Sequence, residues 1–145
     1  MVEIDAHIFK SPAFEGIVNK AIEFFNNTPV HPLPPDNKFE GTGVYALYYT
    51  GNFELYQPIT QQNSKHYKQP IYVGKAVPRG WRTARQPISG TTNELYRRLC
   101  EHANNIRQVT NLKLQDFHAR FMILSGINFD LVVPVEAELI RRYKP

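Results

Sequence analysis

Three side chains in this sequence sit where packing alone would not put them. A helix opens near Glu94 and runs to about Arg107; at about 100° per residue, Leu95, Leu99 and Ile106 share a narrow sector. Arg98 and His102 fall in or beside that sector, whereas Arg97, Glu101 and Asn104 point away. The last helix repeats the pattern, with Glu136 on the side of Leu139, Ile140 and Tyr143 and with Glu138, Arg141 and Arg142 opposite. Burying an unpaired charge is costly, so an inward Arg and His must meet partners, line a wet cleft or await an anionic ligand. From the faces alone, a buried Arg98–Glu136 ion pair beside a hydrogen-bonded core His102 accounts for the same pattern.

Tyr45 and Tyr72 complete the set. A tyrosine in a strand is most often half-buried packing, but these two are flanked by glycines, Gly43 two residues before Tyr45 and Gly74 two residues after Tyr72. In neighbouring antiparallel strands such positions let another backbone or a phosphate come close. The plainer alternative is that Gly43 begins a strand and Gly74 is a bulge.

The elements that must hold these residues follow from the pattern of the chain. Ser11 and Pro12 read as a cap and first turn, and Phe14, Val18, Ala21, Ile22 and Phe25 form the apolar face of a helix closed by Asn26 and Asn27. The prolines of residues 29–36 exclude helix and predict an extended surface arm. GVYALYYT from Gly43 alternates Val44, Ala46 and Tyr48 with Tyr45, Leu47 and Tyr49 and predicts a strand; PIYVGKAV predicts a second strand that pairs with it. Residues 51–69 show no clear period and read as an inserted loop, as do residues 78–92 with Arg79, Trp81, Arg82 and Arg85. Thr91 and Glu94 have capping-box spacing, FHARFMIL predicts a third strand, and Pro134 predicts the start of the final helix. The order helix, two strands, helix, strand, helix describes an α/β domain with a small sheet covered by helices.

Composition narrows the classes further. A chain of 145 residues, 42% apolar, suits one domain with one compact core. It has no apolar run near the roughly 18 residues of a membrane span and no secretory pattern at the N-terminus, so a soluble intracellular protein is expected. With Cys100 the single cysteine, an internal disulfide and a Cys-based metal cluster are both excluded within the chain. The net charge of +4 is modest, but its distribution is uneven: Lys75, Arg79, Arg82, Arg85, Arg97, Arg98 and Arg107 face only Glu94 and Glu101 over residues 75–107. A polyanionic partner fits that concentration.

Taken in order, GVYALYY, PIYVGKA, LYRRLCEH and VEAELIRRYKP resemble the GIY-YIG nuclease superfamily over residues 43–145. The Pro-rich arm, the phrase GKAVPRGWR and the long inserts are most similar to its type II restriction endonuclease branch. The resemblance implies a GIY-YIG-like α/β (α+β) domain with a three-stranded antiparallel sheet flanked by helices. Residues 1–145 would form one domain, with residues 1–42 as N-terminal helix and arm and residues 43–145 as catalytic core. It matches Tyr45 and Tyr72 to the tyrosines of the two motifs, Arg98 and His102 to the Arg and His of the next helix, and Glu136 to the metal-binding carboxylate. Arg97 and Glu138 are close decoys, and the helical faces select the same Arg and Glu as the motif does. Two departures stand out: residues 51–69 widen the gap between the tyrosine motifs, as in the restriction branch, and relatives continue past a Lys-Pro into a segment with a supporting asparagine, which implies a C-terminal truncation here.

The function implied is sequence-specific hydrolysis of double-stranded DNA with one Mg²⁺, for which Mn²⁺ would substitute, held by Glu136, phosphate oxygens and water. Arg98 would stabilise charge on the scissile phosphate. Tyr45 would take a proton from the attacking water; a phenol of pKa about 10 is a poor base at neutral pH, so it needs nearby cations or relay to His102. Tyr72 would orient the water or phosphate and Lys75 would add positive potential. Arg79, Trp81, Arg82 and Arg85 would read guanine edges or grip phosphates, or form a solvated basic loop. A homodimer in a prokaryotic-type cytoplasm is expected, with no membrane and no nucleotide cofactor. The alternatives are a repair, recombination or homing nuclease of the superfamily, and an inactive DNA-binding relic.

Overall fold

The computed structural model describes residues 1–78, 80 and 92–143. Helix α1 (Pro12–Asn26) opens with Pro12 in its first turn, although Ser11 makes no side-chain cap bond. Strand β1 (His31–Pro32) is followed by β2 (Gly43–Tyr49), the short helix α2 (Gln57–Gln62) and β3 (Tyr72–Ala76). Helix α3 (Glu94–Arg107), β4 (Phe117–Ile123) and α4 (Val132–Tyr143) complete the chain. The sheet is antiparallel throughout, in the order β1-β4-β2-β3.

The three strands expected from the sequence are joined by a fourth, from within the Pro-rich arm. His31 and Pro32 pair with Ala119 and His118 at the edge of the sheet, where a proline's missing N–H leaves no ladder bond unmade. Residues 51–69 are likewise more ordered than a loop. Buried Asn63 donates to the Tyr49 and Gln69 carbonyls (3.2 and 3.0 Å) and accepts from the backbone N–H groups of Lys68 and Gln69 (3.0 and 2.8 Å). One amide side chain thereby satisfies four backbone groups and pins the insert to the end of β2. The final helix begins at Val132, two residues before Pro134; Pro134 stands where a helical N–H has no partner in any case.

Strand β2 is buried along its whole length, and the two sets of alternating residues support two cores. Val44, Ala46 and Tyr48 pack with Ile22 and Phe25 of α1 and Val135 and Leu139 of α4. Tyr45, Leu47 and Tyr49 pack on the other face with Leu95, Leu99 and Ala103 of α3. Gly43 permits the tight β2–β4 pairing: a Cβ there would strike the Met122 carbonyl oxygen and reach within 3.0 Å of the Leu124 nitrogen.

Candidate active site

Pairing of β2 with β3 sets Tyr45 opposite Gly74 and Leu47 opposite Tyr72. Because strand residues alternate faces, Tyr45, Tyr72 and Gly74 share the face covered by α3. The Tyr45 ring lies over Gly74, where an added Cβ would come within 2.6 Å of its hydroxyl oxygen and 2.9 Å of the Tyr72 ring. The room that the sequence reserved at Gly74 is therefore filled by the Tyr45 phenol. Tyr45 and Tyr72 stack at 6.0 Å between centroids, and both rings meet the His102 imidazole, at 5.4 and 4.8 Å.

Tyr45 is fully buried, and its hydroxyl lies 2.7 Å from His102 Nε2. Desolvation, reinforced by Tyr72 and opposed by Arg98, raises the Tyr45 pKa well above that of an ordinary phenol. Desolvation, followed by the Arg98 charge, lowers the His102 pKa, with Glu101 acting the other way. At neutral pH the phenol therefore keeps its proton and the imidazole lacks its second one. The hydrogen bond then runs from Tyr45 O–H to the Nε2 lone pair, which assigns the His102 proton to Nδ1.

Arg98 stands at the rim of this cluster. Its side chain is 42% exposed and Nη1 donates to Glu101 Oε2 at 2.8 Å. Glu101 also accepts from Arg97 Nη1 at 3.0 Å, so a carboxylate assigned by helical phase to the outer surface anchors both arginines. The inward charge predicted on α3 is thus a half-exposed guanidinium at a wet cleft, paired with a neighbour one turn away. A guanidinium held in this way keeps donors available to an anion.

Lys75 and Glu136 meet on the other face of β3, against α4. Lys75 Nζ donates to Glu136 Oε1 at 3.1 Å, and the Glu136 side chain is 16% exposed. The Arg98–Glu136 ion pair considered from the sequence is absent, because edge strand β3 lies between α3 and α4 and each charge finds a nearer partner. Glu138, the decoy, is held by Arg141 and Arg142 at 2.6 and 3.2 Å. Ile140, placed by helical phase with the inward set, is exposed, whereas Val135 and Leu139 are buried. Among the described residues no group of three or more His, Cys, Asp or Glu side chains could hold a metal. One carboxylate whose Oε2 is unengaged by the described residues suits a divalent ion whose other ligands are water and phosphate, the habit of Mg²⁺.

Tyr45, Tyr72, Arg98 and His102 are therefore gathered on one face, and Lys75 with Glu136 on the other, around one edge strand. Arg79, Trp81, Arg82, Arg85 and the Thr91 half of the capping box lie outside the described residues. Glu94 does begin the helix, with no side-chain cap bond from Asn93. Sequence reasoning missed Glu101, Asn63 and Arg120; the (i, i+3) spacing of Arg98 and Glu101 was the signal available for the first.

No helix among the described residues is long and apolar enough to cross a membrane. No curated protein shows significant similarity to the chain. The Eco29kI GIY-YIG domain family matches residues 37–145, spanning every element from β2 to α4 and all the residues just described. The chain belongs to the Eco29kI GIY-YIG domain family and carries the nuclease domain of that type II restriction endonuclease group.

Proposed function

We propose that this protein is a type II restriction endonuclease that hydrolyses phosphodiester bonds in double-stranded DNA at a specific sequence. The observation that carries the reading is the 2.7 Å contact between Tyr45 and His102, with the tyrosine pKa raised and the histidine pKa lowered. A neutral imidazole can take the phenolic proton as the phenol takes one from the attacking water. The protonated phenol is then a relay, and His102 holds the proton at the end of the step.

Tyr72, partly exposed beside the same imidazole, orients the water or the phosphate. Arg98 donates to the scissile phosphate and stabilises the charge that grows on it. Glu136 would hold one divalent ion, Mg²⁺ or Mn²⁺, with Lys75 adding positive potential beside it; bound there, the ion would neutralise phosphate charge and favour the leaving oxygen. Arg79, Trp81, Arg82 and Arg85 supply base and backbone recognition.

Cutting both strands requires two such sites, and a homodimer supplies them. The exposed Val2, Ile4, Ile8 and Phe9, beside a turn over Ile4–His7 that buries nothing, offer apolar surface to a second copy.

Incubation with mixed-sequence plasmid, in Mg²⁺ and in chelator, followed by sequencing of the ends, tests the proposal. Discrete fragments with one common end sequence, formed only with metal, are expected. Glu136→Ala should bind DNA and leave it intact; full cleavage by that variant would remove Glu136 from the metal site. Cuts confined to branched DNA would point to a repair enzyme, and retarded but intact DNA to a binding module.

A further inference from the structure

A second cationic site lies on the sheet face opposite Tyr45. Arg120 projects from β4 beside Tyr48, and it is only 9% exposed. Its Nε donates to the Thr28 carbonyl and its Nη1 to the Tyr48 hydroxyl, both at 3.2 Å, with the guanidinium 5.3 Å from the Tyr48 ring centroid. A guanidinium has five N–H donors, so most of its capacity has no acceptor among the described residues. Thr92 Oγ1 is the sealed, partnerless polar side-chain atom among the described residues, so Arg120 Nη2, which makes no hydrogen bond to them, is reached by solvent. Among the described residues no carboxylate pairs with Arg120.

A buried cation without a counter-ion is costly. Arg120 is also the most buried residue lining a cavity of about 540 Å³, whose mouth carries Lys65, His66 and Lys68. Among the described residues no acidic side chain lines it. Asn63 accepts from the Lys68 and Gln69 backbone N–H groups, which fixes the chain that carries Lys68 along this cavity. Tyr143 lines this cavity and also the neighbouring apolar groove, which runs past Ile140 and Val73 to Tyr72. Tyr143 is thus common to the cationic cavity and to a groove that also touches Tyr72.

We propose that this cavity binds a DNA backbone phosphate at a distance from the scissile bond. The identification of the ligand as DNA rests on the nuclease reading. A planar donor fork with lysine point charges around it matches phosphate oxygens, and contacts of this kind fix a protein's position on the duplex without reading sequence.

The test uses the full chain and a Lys65→Gln/Lys68→Gln variant, whose replaced side chains are exposed and belong to no catalytic role. Inorganic phosphate at fixed ionic strength should raise the melting temperature of the parent protein, and this rise should shrink or vanish in the variant. In metal-free DNA binding, the slope of log K against log salt should fall by about 0.9 for each DNA phosphate that the variant no longer neutralises. Cleavage positions should stay the same. Arg120→Lys keeps the charge but loses the fork, and should also weaken the phosphate effect; if it fails to fold, the double lysine variant still decides. Equal phosphate stabilisation in parent and variant overturns the site. Lost phosphate stabilisation with an unchanged salt slope overturns DNA as the ligand. A protein that neither binds nor cuts DNA overturns both the nuclease reading and the DNA ligand, and the phosphate arm then judges the anion site by itself.

Discussion

Tyr45 and Tyr48 stand three residues apart on β2, both buried, both with pKa values raised by desolvation, and they point to opposite faces. Tyr45 meets His102, a group that can accept a proton; Tyr48 meets Arg120, a group that can only donate. Burial of a tyrosine is thus no sign of chemistry by itself. The proton-accepting capacity of its partner separates a tyrosine able to pass on a proton from one that only accepts a hydrogen bond from a cation.

Removing one hydroxyl at a time distinguishes the two tyrosines. Tyr45→Phe should lower the single-turnover cleavage rate by about 100-fold or more, the range for loss of a positioned acid–base group. Tyr48→Phe should leave that rate within about threefold. It should instead cost about 1–3 kcal/mol in denaturant unfolding, because a buried Arg120 donor loses its acceptor. Equal rate losses in the two variants would remove the distinction.

A smaller effect is expected from Gly74→Ala. The new methyl would meet the Tyr45 hydroxyl oxygen at 2.6 Å and must displace the ring from His102. Since a misplacement near 1 Å costs up to about 100-fold, cleavage should fall by about 10- to 100-fold with the fold intact by circular dichroism. Unchanged cleavage would mean that the Tyr45 position does not matter.

The pH profile sharpens the assignment of partners. In the proposed mechanism the competent His102 is the neutral one, so the rate should rise with pH as the imidazole loses its proton. Burial and Arg98 lower the His102 pKa, which places this acid limb below the ordinary imidazole value of about 6.5. A limb well above neutrality would mean a His102 protonated at pH 7 and would exclude it as the acceptor.

Much of the fold could be read from residue types, and the reasons are local. Val44 to Tyr49 can form little other than a buried strand, because alternate β-formers without charge suit a sheet covered on both faces. The phases of α3 and α4 separated Arg98 from Arg97 and Glu136 from Glu138 for a similar reason, since 3.6 residues per turn is a property of the backbone. Less legible were β1, whose two residues pair only because β4 offers them an edge, and α2, too short for a periodic signal. Arg120 gave no sequence signal either, since one arginine in a strand of mixed residues is ordinary until Tyr48 and Thr28 surround it.

Residue types and their spacing are enough to tell which residues could be reactive and which face of its own helix or strand each occupies, because period and propensity act over a few residues. In the folded chain the partners are Tyr45 with His102, Arg98 with Glu101, and Lys75 with Glu136. Only one of those three spans a single helical turn. The other two join residues 57 and 61 positions apart, and such contacts follow from strand order and register, which no local pattern encodes.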